Sequence, residues 1–183
     1  MKDNFERCFQ RMLKSEGGYS DNPKDPGGAT NLGVTKKAWE DYVGHEVTKQ
    51  VIKDLTPDVV RPFYKTRYWD ACKCDGMPSG LDYCLFDMCV NAGPGRAVKL
   101  LQKCLNLVQD GQIGVKTMTA VAQYTGHPLE TLIQSYTNAR IAFYRSLPTF
   151  TYFGKGWVDR ANKVASKALS DVAGGTPRSS EGA

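Results

Sequence analysis

The sequence predicts a mainly α-helical protein with one small β-hairpin, and three observations lead there. Apolar residues recur at the three–four spacing of a buried helix face through most of the 183 residues. Cap and breaker residues frame those stretches, with Thr35 and Thr56-Pro57 on entry and Gly17-Gly18 or Gly93-Pro94-Gly95 on exit. One segment, residues 19–35 (YSDNPKDPGGATNLGVT), lacks helical spacing and is crowded with turn formers, so it predicts a short irregular hairpin.

The first helix is expected over residues 4–16. Phe5, Cys8, Phe9, Met12 and Leu13 make its apolar face, and Glu16 continues that face before Gly17-Gly18 stops it. After the turn-rich segment, Thr35 caps a helix over 36–42 with Trp39 inward. A further helical stretch covers 49–55. Pro57 opens a helix carrying Val60, Phe63, Tyr64, Tyr68 and Trp69. Residues 81–92 (LDYCLFDMCVNA) are apolar almost all round, which predicts a central helix. Helices are then expected over 96–107, 117–124, 128–147 and from Gly156-Trp157 to about residue 172. The polar end, residues 174–183 (GGTPRSSEGA), predicts a disordered tail.

Composition narrows the function. Hydrophobic residues make up 41%, enough for a packed core and too many for a disordered chain. No apolar run reaches membrane-spanning length, so no stable membrane insertion is expected. The N-terminus, MKDNFERCFQRMLKSE, is not a signal peptide, which predicts synthesis in a cytoplasm. Residues 1–91 carry 13 Lys/Arg and 14 Asp/Glu, whereas residues 92–183 carry 11 and 5. A basic second half favours an anionic polymer, either nucleic acid or an anionic cell envelope. Nothing resembling a nucleic-acid-binding motif accompanies the charge, so no nucleic-acid partner is expected. Six cysteines (Cys8, Cys72, Cys74, Cys84, Cys89, Cys104) are expected to be free thiols, given a chain made in a reducing compartment. The single-residue spacing of Cys72-Lys73-Cys74 fits neither a redox pair nor the usual zinc pair. No metal and no cofactor are expected. His45 and His127 read as loop or cap residues.

The residues with catalytic chemistry lie at the first helix end and in the turn-rich loop. Hydrolysis of a glycoside needs a proton donor for the leaving oxygen and a second group that activates water or stabilises charge on the sugar. A carboxyl at the edge of an apolar face suits the first task, because desolvation favours its protonated form. Glu16 has that position. Asp25, in a polar Gly/Pro loop, suits the second task, and Thr30 could position the water. Asp21 lies in the same loop and competes with Asp25. The residues alone reach only a possible two-carboxylate site.

The stretch EGGYSDNPKDPGGATNLGVT (16–35) resembles the signature of glycoside hydrolase family 108, the muramidases of phage endolysins and related bacterial proteins. YKTRYWD (64–70), FDMCVNAG (86–93), DGQIG (110–114) with Thr117, and GWVDR (156–160) extend the resemblance over roughly residues 5–172. It implies a lysozyme-like helical fold with a small β-hairpin flap. The substrate implied is peptidoglycan, cut at the β-1,4 bond between N-acetylmuramic acid and N-acetylglucosamine. The glutamate of the EGGY motif is the general acid, here Glu16. A looser likeness to phage-type lysozymes assigns the other roles to Asp25 and Thr30 and implies inversion. Residues 1–91 then form a catalytic region. Residues 92–173 form a helical predicted peptidoglycan-binding region packed on the same globule.

Tyr19, Asn31, Tyr68, Trp69 and Asn91 are the candidates for sugar contact, since rings suit sugar faces and amides suit N-acetyl groups. A monomer is expected, acting in the periplasm or cell wall after release by a holin. Two rival functions stand beside this one: a lytic transglycosylase, with a lysozyme-like fold and the same single acid but an anhydro product, and a non-enzymatic wall-binding or secretion-accessory protein, against which Glu16 in its full motif argues.

Overall fold

The computed structural model describes residues 2–21, 28–124 and 128–175. The chain divides into two compact units, residues 1–67 and 68–183.

The first unit contains α1 (Lys2–Leu13), β1 (Thr30–Asn31), β2 (Val34–Thr35), α2 (Lys36–Val43), α3 (Lys49–Lys53) and α4 (Pro57–Tyr64). Phe5, Cys8, Phe9 and Met12 of α1 are buried, as their spacing predicts. α1 stops at Leu13, three residues earlier than expected. The chain then tightens, with Ser15 N–H on Met12 O at 2.8 Å and Glu16 N–H on Leu13 O at 3.1 Å. Glu16 therefore stands on a turn just beyond the helix.

α1 packs on α4 through Phe9 and Tyr64, whose ring centroids are 5.7 Å apart, and through Arg61 Nε donating to Glu6 at 3.0 Å. Trp39, Tyr42 and Phe63 complete an aromatic core. The two strands are antiparallel, pairing Thr30 with Thr35 and Asn31 with Val34, and Ser20 bridges to Thr30. Thr35 caps α2, its hydroxyl accepting from Ala38 N–H at 3.1 Å. Thr48 caps α3 in the same way.

After α4 the backbone widens into a π-helical turn, Lys65–Asp70, followed by a 3₁₀ turn, Cys74–Gly76. The second unit then contains α5 (Leu81–Ala92), α6 (Pro94–Cys104), α7 (Val115–Ala122), α8 (Leu129–Arg145) and α9 (Phe150–Gly175). α5 is its centre: residues 81–89 are all buried, and α6, α8 and α9 pack around it. Tyr136 Oη of α8 donates to Ala97 O of α6 at 3.1 Å. Gln102 holds the loop after α6, donating to Asp110 at 2.7 Å and accepting from Gly111 N–H at 2.9 Å.

α9 begins at Phe150, six residues before the expected start. Gly154 does not break the helix. The Phe150 ring lies over it, so that a β-carbon there would come within 2.5 Å of the ring.

The cysteine expectation needs correction. Cys72 and Cys89 form a disulfide that ties the segment after the π-helical turn to α5. Cys8, Cys74 and Cys84 are buried free thiols, and Cys104 is half-buried. The pairing was invisible in sequence because it joins positions 17 residues apart that only the folded α5 brings together. The tail assigned to residues 174–183 lies, from 176 onward, outside the described residues.

Candidate active site

The hairpin turn is the local feature that builds the site. β1 and β2 are joined by two residues, Leu32 and Gly33, with φ of +50° and +76°. Two positive φ values in a two-residue loop match the right-handed twist of the flanking strands. Asn-Gly is the usual sequence for such a turn, so Leu32 carries strain that an L side chain normally avoids. Tyr64 fixes the turn by donating its hydroxyl to Leu32 O at 2.7 Å.

Gly33 is required for a second reason. A β-carbon there would lie 2.7 Å from Tyr64 Oη and 2.8 Å from Glu16 Oε2. Glu16 thus packs its carboxylate against the bare side of the hairpin turn, with the buried Tyr64 phenol beside it. Glu16 itself is half-buried, screened from bulk water on one side and reachable on the other. This arrangement holds a turn-borne, half-buried carboxyl in place by packing against backbone, the fixed position a proton donor needs.

Thr30 lies on β1, half-buried, with Oγ1 donating to Gly28 O at 3.4 Å. Asp21 is paired with Lys49, whose Nζ is 3.0 Å from both of its carboxylate oxygens. Asp25 lies outside the described residues. Tyr19 is 40% exposed, with Lys53 Nζ 5.9 Å from its ring centroid.

The remaining sugar-contact candidates have other surroundings. Asn31 is buried, and its amide donates to the carbonyls of Ile52, Lys53 and Leu55 at 3.0, 2.9 and 3.3 Å, which closes the C-terminal end of α3. Trp69 is wholly buried, donating Nε1 to Asp75 at 2.9 Å and standing edge-on to Phe86. Tyr68 is half-buried. Asn91 is exposed at the end of α5 and accepts from Tyr144 Oη at 2.6 Å.

Gly33 and Tyr64 were missed by the sequence reading. A glycine after a non-turn residue gave only a weak signal, and Tyr64 read simply as part of an apolar helix face. No cluster of His, Cys, Asp or Glu among the described residues has the form of a metal site.

The second unit contains a different charged group. Asp87 of α5 is fully buried between two arginines, with Arg140 Nη2 at 2.7 Å and Arg160 Nη2 at 2.9 Å. Burial pushes its carboxyl up, but the two guanidiniums outweigh burial and hold it below the usual range. Arg140 also donates to Tyr144 Oη at 2.7 Å.

Comparison with known proteins identifies the family. The family described as glycosyl hydrolase 108 matches residues 9–93, and a family described as a predicted peptidoglycan domain matches residues 96–162. The hydrolase match runs past the division at 67/68 and ends at the close of α5. A solved structure entitled "Structure of Brucella abortus SagA" is 39% identical, covering 94% of this chain and 97% of that one, with a TM-score of 0.84. No curated protein matches. The chain therefore belongs to glycoside hydrolase family 108, its hydrolase region followed by a predicted peptidoglycan domain.

Proposed function

We propose that Glu16 is the general acid with which this peptidoglycan-directed hydrolase cuts the β-1,4 bond between N-acetylmuramic acid and N-acetylglucosamine. The observation that carries the reading is the seat of its carboxylate against Gly33 beside the Tyr64 hydroxyl. In this reading Glu16 gives its proton to the leaving glycosidic oxygen. Water adds to the anomeric carbon, and a second carboxylate accepts the water's proton. Asp25 takes that part rather than Asp21, because Asp21 is engaged by Lys49. Thr30 orients the water, and the exposed ring of Tyr19 meets a sugar face.

Water entering from the face opposite the leaving group inverts the anomer. Such a pair of carboxyls stands about 6.5–9.5 Å apart, against about 5–5.5 Å for retention.

We place its action in the periplasm or cell wall, as a monomer released from the cytoplasm by a holin. The Cys72–Cys89 disulfide supports a working place outside the reducing cytoplasm.

The test is digestion of purified sacculi by the wild type and Glu16→Gln, with product mass and anomer both read. The expected products contain one added water and the inverted anomer. Products lighter by one water would mean a transglycosylase instead. A Glu16→Gln rate above roughly a tenth of wild type would remove Glu16 from the role, since a general acid contributes about 10²–10⁴-fold. Asp25→Asn should be crippled and Asp21→Asn only mildly affected; the reverse order would exchange their roles.

A further inference from the structure

The second unit exposes a row of aromatic rings at the start of α9 that the packing of that unit does not use up. Tyr152 is 83% exposed and Phe153 58%. Their ring centroids are 6.5 Å apart, and Phe153 continues to the half-buried Trp157 at 5.8 Å with planes only 32° apart. Trp157 in turn lies 5.4 Å from Tyr144, which is anchored from beneath by Arg140 and Asn91. The row continues through Tyr144 to Phe143, which is capped by Arg96 at 4.8 Å. Its inner end is thus rigid and its outer end bare.

Gly156 adds an independent observation. It lies four residues after Tyr152, three after Phe153 and four before Arg160, so it shares their helix face. A β-carbon at Gly156 would meet nothing within 4 Å. Glycine weakens a helix interior, and no packing need explains it here. What it provides is open surface on the helix face it shares with Tyr152 and Phe153, where no side chain crowds the rings.

From these features we infer that Tyr152, Phe153 and Trp157 form a glycan-binding platform, a second contact with peptidoglycan separate from bond cleavage at Glu16. The inference rests on the peptidoglycan reading above. The occupant is a polysaccharide strand bearing carboxylates. The near-parallel pair Phe153 and Trp157 offers ring faces to a pyranose, and Tyr152, tilted 57° to Phe153, flanks them. The match to the predicted peptidoglycan domain covers all three rings, and residues 92–183 carry 11 Lys/Arg against 5 Asp/Glu, which suits the acidic stem peptides. Trp157, packed against Tyr144, serves as both anchor of the helix and inner edge of the platform.

The experiment measures binding of the full chain to purified sacculi by cosedimentation, in a Glu16→Gln background so that the polymer survives. Tyr152→Ser/Phe153→Ser should weaken binding by about tenfold or more, the scale on which truncating exposed aromatic anchors is felt. Gly156→Glu should weaken it similarly by placing a repelling charge on that open face. That variant should melt no lower than its parent, because glutamate is the better helix former, so misfolding cannot explain its loss. With Glu16 intact, both variants should digest a short soluble muropeptide at the wild-type rate and clear sacculi several-fold more slowly at low protein concentration.

Sacculus binding within twofold of the parent in both variants would overturn the platform. So would an equilibrium sedimentation result in which the wild type dimerises, the variants do not, and sacculus binding is unchanged, for the row would then serve a second copy of the chain. If the hydrolase reading failed instead, neither substrate would be digested by any form, while the binding difference would persist.

Discussion

Glu16 and Asp87 are both carboxylates at the edge or centre of an apolar helix pattern, and the two units treat them in opposite ways. The first unit sets Glu16 on a turn, half-buried, against a glycine that offers no side chain. The second locks Asp87 in the middle of α5 between Arg140 and Arg160, with no surface exposed. A group that must release and regain a proton cannot be clamped between fixed cations, because they would hold it ionised. A buried group whose task is to tie α5 to α8 and α9 needs that clamp, because one unpaired charge in the core would be intolerable. The same side-chain chemistry thus suits the proton donor proposed at Glu16 or the structural tie at Asp87 according to what surrounds it.

The sharpest test of this contrast is a pair of isosteric changes. Glu16→Gln should reduce sacculus digestion by about 10²–10⁴-fold while leaving the denaturation midpoint in place. Asp87→Asn should do the converse. Its two arginines lose their counter-charge, and urea titration should show a loss of about 3–5 kcal/mol. A midpoint shift for Glu16→Gln as large as that for Asp87→Asn would erase the distinction.

Asp87 also predicts the acid limb of stability. Its carboxyl is lowered in the folded state, so its contribution is fully present above the unfolded value, about 3.9, and is lost as pH falls below that toward the folded value. Asp87→Asn should therefore flatten the fall in stability below about pH 4. An unchanged acid limb would show that other carboxylates control it.

Gly33→Ala comes next in size. The left-handed φ and the two close oxygens should together cost about 1–3 kcal/mol, and displacement of Glu16 should lower turnover by more than the stability change alone explains. Full activity in that variant would show that the seat against Gly33 is dispensable. Tyr64→Phe removes the hydrogen bond to Leu32 O, for an expected loss of about 1 kcal/mol and a smaller fall in rate. The smallest expected effect is at Cys84. Burial pushes its thiol up to about 12, so it should resist alkylation at pH 8 in the native protein and react only on unfolding.

The helices were legible because their signal is local. The α1 face of Phe5, Cys8, Phe9 and Met12, the Thr35 cap and the continuous burial of α5 all follow from spacing within a few turns. Helix ends were read less well. α1 ends before Glu16 because the chain tightens into a turn. α9 starts at Phe150 and runs through Gly154 and Gly156, two glycines that the sequence presents as breakers. At the site, Glu16 stood out through its motif and its place at a helix end. Its neighbours did not, since Tyr64 is 32 residues from the carbonyl it grips and looked like ordinary core.

By itself, the sequence determined a mainly helical chain, a hairpin after the first helix, and a family signature with an acid at position 16. Only the tertiary structure decided which groups meet. It seated Glu16 on Gly33 beside Tyr64, joined Cys72 to Cys89, enclosed Asp87 between arginines 53 and 73 residues away, and set the exposed rings of α9 beside Trp157. The reason is physical. Periodicity and capping act over one or two turns of chain, whereas these pairings depend on how whole helices pack, and packing fixes partners that no local pattern names.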